Sequence, residues 1–262
     1  MSQYNLQISD LRYAAMAIAL RQEIHVANLT KRPVELLGHD CGIDNKLEPA
    51  PDVTWTCRIM SHAAQITNYA YSIEPRTKAL WDELWLYLEK WDQAKPASFR
   101  PLYQSSREES GATPPSTSTF IVRPARPVGK FPEIYFLDDC PVAAQQYFEI
   151  CKMILLAHDP RTPGLGVGRT EYVRAQEERI RESVRTICGI WLSNPEYAPA
   201  RALAGLAIGM AGELFTDVFE TVQLLDIITE AELHVGWPCL KVSPRLRSFW
   251  AIEAVDSQTR TG

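Results

Sequence analysis

The chain has no two cysteines close enough in sequence to share a metal. Cys41, Cys57, Cys140, Cys151, Cys188 and Cys239 stand eleven or more residues apart. A zinc site needs C-x-x-C pairs, whose short loops turn two thiolates toward one ion. No H-E-x-x-H or H-x-x-x-H places two imidazoles on one helix face, and no G-x-S-x-G offers a nucleophile elbow. The N-terminal residues lack the charged and apolar regions of a secretory signal. The longest apolar run, around Ala202 to Met210, falls far short of the roughly 20 residues that span a bilayer. Basic excess is missing too: the formal net charge is −5, and a protein that grips DNA by its phosphates needs a positive face. Arg174, Arg179, Arg181 and Arg185 are interleaved with Glu177, Glu178 and Glu182, a mixture that reads as a solvated helix face. The scattered thiols suit a reducing compartment, where cysteine serves as a small buried hydrophobe.

What is present is helical periodicity. Leu80, Leu84, Leu88 and Trp91 recur at helical spacing, with Trp81 and Trp85 widening the stripe. Tyr147, Cys151, Ile154 and Leu155 form a second stripe, introduced by Asp138 and Asp139 just ahead of Pro141. Ile180, Val184, Ile187 and Trp191 form a third, stopped by Asn194-Pro195. Val218, Val222, Leu225, Ile228, Ala231 and Val235 give a fourth, and Ser243-Pro244 starts a last helix with Leu246 and Trp250. Between them, Pro199 to Phe215 is apolar on every side and contains Gly205, Gly209 and Gly212, which predicts a central buried helix. The only candidate strand is Phe120 to Val122. The expected fold is therefore all-α: one multi-helix domain over residues 1–262, with a long Pro/Ser/Thr-rich flexible loop at 95–130. The stretch Ala27 to Val53 reads as irregular and turn-rich.

Candidate chemistry is thin. Gly164, Gly166 and Gly168 follow a helix, and Arg169 stands where a phosphate loop needs Lys, so they read as a helix-to-helix connection. Asp138 and Asp139 lack the third carboxylate that a magnesium-diphosphate site requires, and read as a helix cap. Glu230, Glu232 and His234 cluster near a helix end, where a protonated imidazole would complement the dipole. His62 and His158 stand apart from them. If an effector binds between the helices, Trp81, Trp85, Trp191, Met210 and Trp237 are the residues expected to line its pocket.

From Ile187 to Trp250 the chain reads ICGIWLSN, then a small-residue helix, then ETVQLL, then an acidic helix ending in HVGWP, then LRSFW. Earlier come LRYAAMAIALRQ, WDELWLYLEKWDQAKPASFRPL, FPEIYFLDD and AQQYFEICKMILLAHDP. In this order the segments resemble the fungal-specific regulatory domain of binuclear zinc cluster transcription factors. The resemblance implies a non-enzymatic nuclear domain that modulates RNA polymerase II transcription. It also implies dimerisation with itself or a related factor, transcriptional coregulators as partners, and a small-molecule effector. The DNA-binding cluster is missing, so the chain is expected to be a fragment, a truncated gene model or a short paralogue. It should bind no specific DNA, no membrane and no cofactor, zinc belonging only to the missing N-terminal cluster. The alternatives are an all-α lyase or synthase acting on an apolar small molecule, and an interaction scaffold with no link to DNA. The cysteine and histidine spacing predicts that elemental analysis of the purified chain will find no stoichiometric metal. About one zinc per chain, retained through mild chelation, would contradict that reading.

Overall fold

A computed structural model describes residues 8–105, 131–235 and 242–250. The described residues are mostly helical, 71% of them in helices, with eight α-helices and almost no strand among them. The elements are α1 (Ile8–Thr30), α2 (Asp52–Tyr71), α3 (Lys78–Ala94), β1 (Tyr103–Gln104), β2 (Ile134–Tyr135), α4 (Asp139–Ala157), α5 (Arg169–Ser193), α6 (Ala198–Ala211), α7 (Val218–Val235) and α8 (Val242–Phe249). The candidate strand at Phe120 to Val122 lies outside the described residues. The observed strands form one antiparallel pair, Tyr103 opposite Tyr135 and Gln104 opposite Ile134. Of the expected 95–130 loop, residues 95–105 hold a 3-10 turn at Ala97–Phe99 and the strand β1; the remainder lies outside the described residues. In the stretch read as irregular, α1 continues through Ala27 to Thr30, and Val34 and Ile43 are buried.

Helix boundaries follow local chemistry. Thr77 caps α3 by accepting the Leu80 N–H, and Asp138 caps α4 by accepting the Asp139 N–H. Gly166 and Gly168 take positive φ in the turn before α5, a conformation that favours glycine. The helix α4 packs against α2, α3, α5 and α6, while α6 packs against α1, α4, α5 and α7. One buried amide joins three of these helices. Gln146 of α4 is fully buried, and its Nε2 donates to the Ile187 carbonyl of α5 (3.1 Å) and the Ala200 carbonyl of α6 (3.0 Å). On α2, His62 is enclosed with Nε2 2.9 Å from the Leu84 carbonyl, and burial pushes its pKa down to about 4.

The third and second predicted stripes are buried throughout, whereas Leu80 of the first is exposed. The fourth holds at Leu225, Ile228 and Ala231, which are buried, and is corrected at its start. Val218 and Val222 are 69% and 44% exposed, and the buried face of α7 runs through Glu220, Thr221, Leu224, Leu225, Ile227 and Ile228. Its first turn is turned inward on polar residues because Arg185 holds the Glu220 carboxylate.

The end of α5 is clamped to the strand region. Ser193 Oγ accepts the Ile134 N–H (3.0 Å), and Asn194 Oδ1 accepts the Phe136 N–H (3.1 Å). The Asn194 Nδ2 donates to the carbonyls of Ile134 (2.8 Å) and Ile190 (2.6 Å). This approach needs Gly189, where a Cβ would run into the Pro132 carbonyl oxygen. Gly212 differs: a Cβ there would lie 3.0 Å from the end of the Leu246 side chain, which can move. Gly189→Ala is therefore expected to destabilise by about 3 kcal/mol, the upper end for overpacking. Gly212→Ala, which also regains helix propensity, should change stability by less than about 1 kcal/mol. Denaturant midpoints check the order; equal losses would mean that the Pro132 backbone yields freely.

Candidate functional site

Of the residues expected to line an effector pocket, Trp81, Trp85, Trp191 and Met210 fall on three described helices. Trp81 and Trp85 stack on each other on α3, with ring centroids 5.1 Å apart and planes 8° from parallel. Arg161 covers the outer face of this pair at 3.8 Å from the Trp81 centroid, and Arg179 lies 5.5 Å from that of Trp85. Their indole N–H groups are already used, by the Leu155 carbonyl (2.9 Å) and by Glu89 (2.7 Å). Trp191 lies twelve positions beyond Arg179 on α5, about 18 Å along the helix axis. It is buried beside Arg201, whose guanidinium sits 5.5 Å from its ring centroid. Met210 is half-buried nine positions beyond Arg201 on α6, about 14 Å along that helix. Trp237 lies outside the described residues, as do the side chains of Glu232 and His234. Trp191 thus stands apart from the stacked Trp81–Trp85 pair.

The turn from α4 to α5 is organised by a carboxylate. Asp159 accepts hydrogen bonds from Arg161 Nε (2.8 Å), Tyr172 Oη (2.8 Å) and Gln176 Nε2 (3.2 Å). Burial alone would raise its pKa; the bonds from Arg161 and Tyr172 outweigh it and hold the group ionised. The three glycines of this turn are thus a connection between helices, and Asp138 spends its carboxylate on the α4 cap.

A cleft of about 480 Å³ opens between α5, the 3-10 turn Gly212–Leu214 and the start of α7. Glu177, Glu178, Glu213, Asp217 and Glu220 line it, against only Arg181 and Arg185. Of the arginine-glutamate mixture of α5, Arg174, Glu178, Arg179 and Glu182 are exposed, as a solvated face requires, and only Arg185 departs from it. Arg185 is buried and closes a bidentate pair with Glu220, Nε to Oε1 at 2.8 Å and a second nitrogen to Oε2 at 3.2 Å. Its remaining nitrogen reaches Glu178 (2.7 Å) and Glu182 (2.6 Å). Arg181 pairs with Glu178 and donates to the Leu214 carbonyl at 3.1 Å. Burial alone would lower the Arg185 pKa, but the bonds to Glu220 and Glu178 raise it instead. The floor of the cleft is thus a fixed ion cluster. Its rim carries surplus negative charge, beside exposed Val218, Phe219 and Val222. Local periodicity could not pair residues 35 positions apart; only an arginine on an otherwise apolar stripe, Ile180–Val184–Ile187, hinted at it.

Among the described residues no group of three or more His, Cys, Asp or Glu side chains could hold a metal ion. No described helix is long and apolar enough to cross a membrane. No family model matches the chain, and no curated protein or solved structure is significantly similar to it.

The cluster has a pH signature. The Arg185 hydrogen bond holds the Glu178 pKa at about 2, against an ordinary 4.5. A depressed carboxylate stabilises the fold above its unfolded pKa and loses that contribution as pH falls through the folded one. Stability should therefore decline between about pH 4.5 and 2, and less steeply in Glu178→Gln. Glu178 is half exposed, so screening keeps the difference small. Thermal melts across that range are the check; parallel acid limbs would remove Glu178 from the cluster's energetics.

Proposed function

We propose that the chain is a helical regulatory domain of the kind found in fungal zinc cluster transcription factors. It modulates RNA polymerase II transcription in the nucleus through protein partners and is not an enzyme. In this reading α6 is the central apolar helix and residues 95–130 include a flexible surface loop. The domain dimerises with itself or a related factor, receives coregulators and a small-molecule effector, and makes no specific DNA contact of its own.

The observation that supports this best is the contact between two segments that carry the resemblance. The glycine, serine and asparagine of ICGIWLSN are the groups that seat FPEIYF: Gly189 makes room for Pro132, and Ser193 and Asn194 take its backbone polar groups. The late L-x-x-x-W is used in a similar way. Leu246 packs over Gly212, and the Trp250 indole donates to the Phe215 carbonyl at 3.1 Å. Motif letters that look arbitrary in sequence therefore have joint packing roles. A scaffold reading without DNA draws on the acidic cleft beside exposed Val218, Phe219 and Val222, which suits a basic amphipathic partner segment.

A low-salt gel-shift series should give only nonspecific retention, as the net charge of −5 implies. Fusion to an unrelated DNA-binding module should raise or lower a reporter relative to that module alone. Sequence-specific binding by the isolated chain would remove the first half of the proposal. A reporter that stays unmoved, with the fusion stably present in the nucleus, would remove the second and leave the scaffold.

A further inference from the structure

We infer that the acidic cleft is one end of a longer groove that receives a basic amphipathic helix from another protein, with Phe219 and Val222 as apolar contacts and Glu171 and Glu177 as charge contacts. The inference rests on the reading of the chain as a domain that acts through protein partners, and deepens it by stating the partner's chemistry.

Two clefts make the groove. The 480 Å³ cleft between α5, Gly212–Leu214 and the start of α7 adjoins a second of about 1190 Å³, which extends to Gly168, Glu171 and Arg174. Glu177, Glu178, Arg181 and Thr216 line both, so the two are continuous. Along α5 the groove runs seventeen positions, from Gly168 to Arg185, a length of about 25 Å. A helix of roughly 16 residues spans that distance.

Charge selects the sign of the partner. Six carboxylates line the groove against three guanidiniums. Two of the three are already engaged: Arg185 by Glu220, Glu178 and Glu182, and Arg181 by Glu178 and the Leu214 carbonyl. Arg174 is exposed toward the far end, and Arg245 reaches Glu213 from α8 at 3.0 Å. Glu171 and Glu177 form no ion pair with a described cation. The outer face of α7 continues the pattern, since exposed Asp226 and Glu230 follow Val218, Phe219 and Val222. The cation on that side is Arg247, which donates to Thr229 Oγ1 at 3.0 Å.

The apolar contacts adjoin this charge. Phe219 is one position, about 100° round the helix, from Glu220, which lines the cleft. Val222, three positions on, faces the same outward side, and the two are 72% and 44% exposed. A bulky aromatic beside a cleft is the kind of group that anchors a helix in a groove. The walls dictate the partner's form. α5 and α7 spend their backbone groups within their own helices and offer no strand edge, so the incoming segment must satisfy its own backbone, as a helix does. A second copy of this chain is disfavoured, because it would bring a net charge of −5 against an acidic face.

The test uses the full chain, isotope-labelled, titrated with a synthetic helical peptide of about 16 residues with lysines on one face and leucines on the other. A counterpart with glutamates in place of the lysines is the control. Amide resonances of Glu177, Phe219 and Val222 should shift saturably with the basic peptide, less so as salt is added, and stay still with the acidic one. Phe219→Ser should weaken binding about tenfold or more, and Glu177→Lys about three- to tenfold. Glu74→Lys, exposed in the turn between α2 and α3, should leave it unchanged. Saturable shifts confined to another face would overturn the groove while the reading it rests on stands. No saturable shift with the basic peptide overturns the groove as well, and the reporter fusion still decides that reading. A dimer of the free chain that Phe219→Ser dissociates in sedimentation would assign the face to a second copy and overturn the partner. Should either variant fail to fold, the other and the wild-type shifts still decide.

Discussion

A single primary amide governs how the middle of this domain is assembled. Gln146 is shut away from water, and both hydrogens of its nitrogen are given to carbonyls on different helices. Each carbonyl already belongs to a helix, so the amide adds bonds without interrupting a ladder. Apolar packing between α4, α5 and α6 is non-directional and would tolerate small rotations or slips of one helix on another. An amide that must satisfy two separate carbonyls does not, because a slip strands a buried donor at about 1–3 kcal/mol. The junction therefore fixes relative rotation and register together, and the terminal clamp at Ser193 and Asn194 starts from that fixed frame.

The second directional element is ionic. Arg185 and Glu220 come from α5 and α7, and their bidentate contact draws the first turn of α7 toward the core. Buried ion pairs are weak evidence for net stability, since desolvation opposes the attraction. Their effect here is on geometry. By turning Glu220 inward, the pair turns Val218 and Val222 outward. The acidic cleft and its apolar border are thus two results of one contact.

Much of the helical order was legible in the sequence, because stripes such as Ile180–Val184–Ile187–Trp191 record burial directly. Terminators were legible too: Asp138 caps α4, and Asn194-Pro195 ends α5. What could not be read were pairings between distant positions. Arg185 looked like one charge in a solvated mixture until Glu220 was beside it. Leu80 and Val218 sit at helical spacing yet face solvent, since periodicity marks a face without saying which part of it a neighbour covers. Trp191 stands apart along α5 from the Trp81–Trp85 stack, because aromatic residues at helical spacing record core positions without recording which of them converge.

The strand pair has a topological meaning. Ser105 receives and donates across to Glu133, with the Ser105 N–H on the Glu133 carbonyl at 3.0 Å and the Glu133 N–H on Ser105 Oγ at 3.2 Å. Positions 28 residues apart in sequence are thereby held side by side. For any flexible segment tied at both ends in this way, closure costs only about 0.6 kcal/mol more for each doubling of its length. The pair thus turns a long separation in sequence into a fixed short one in space, which the end of α3 and the start of α4 share.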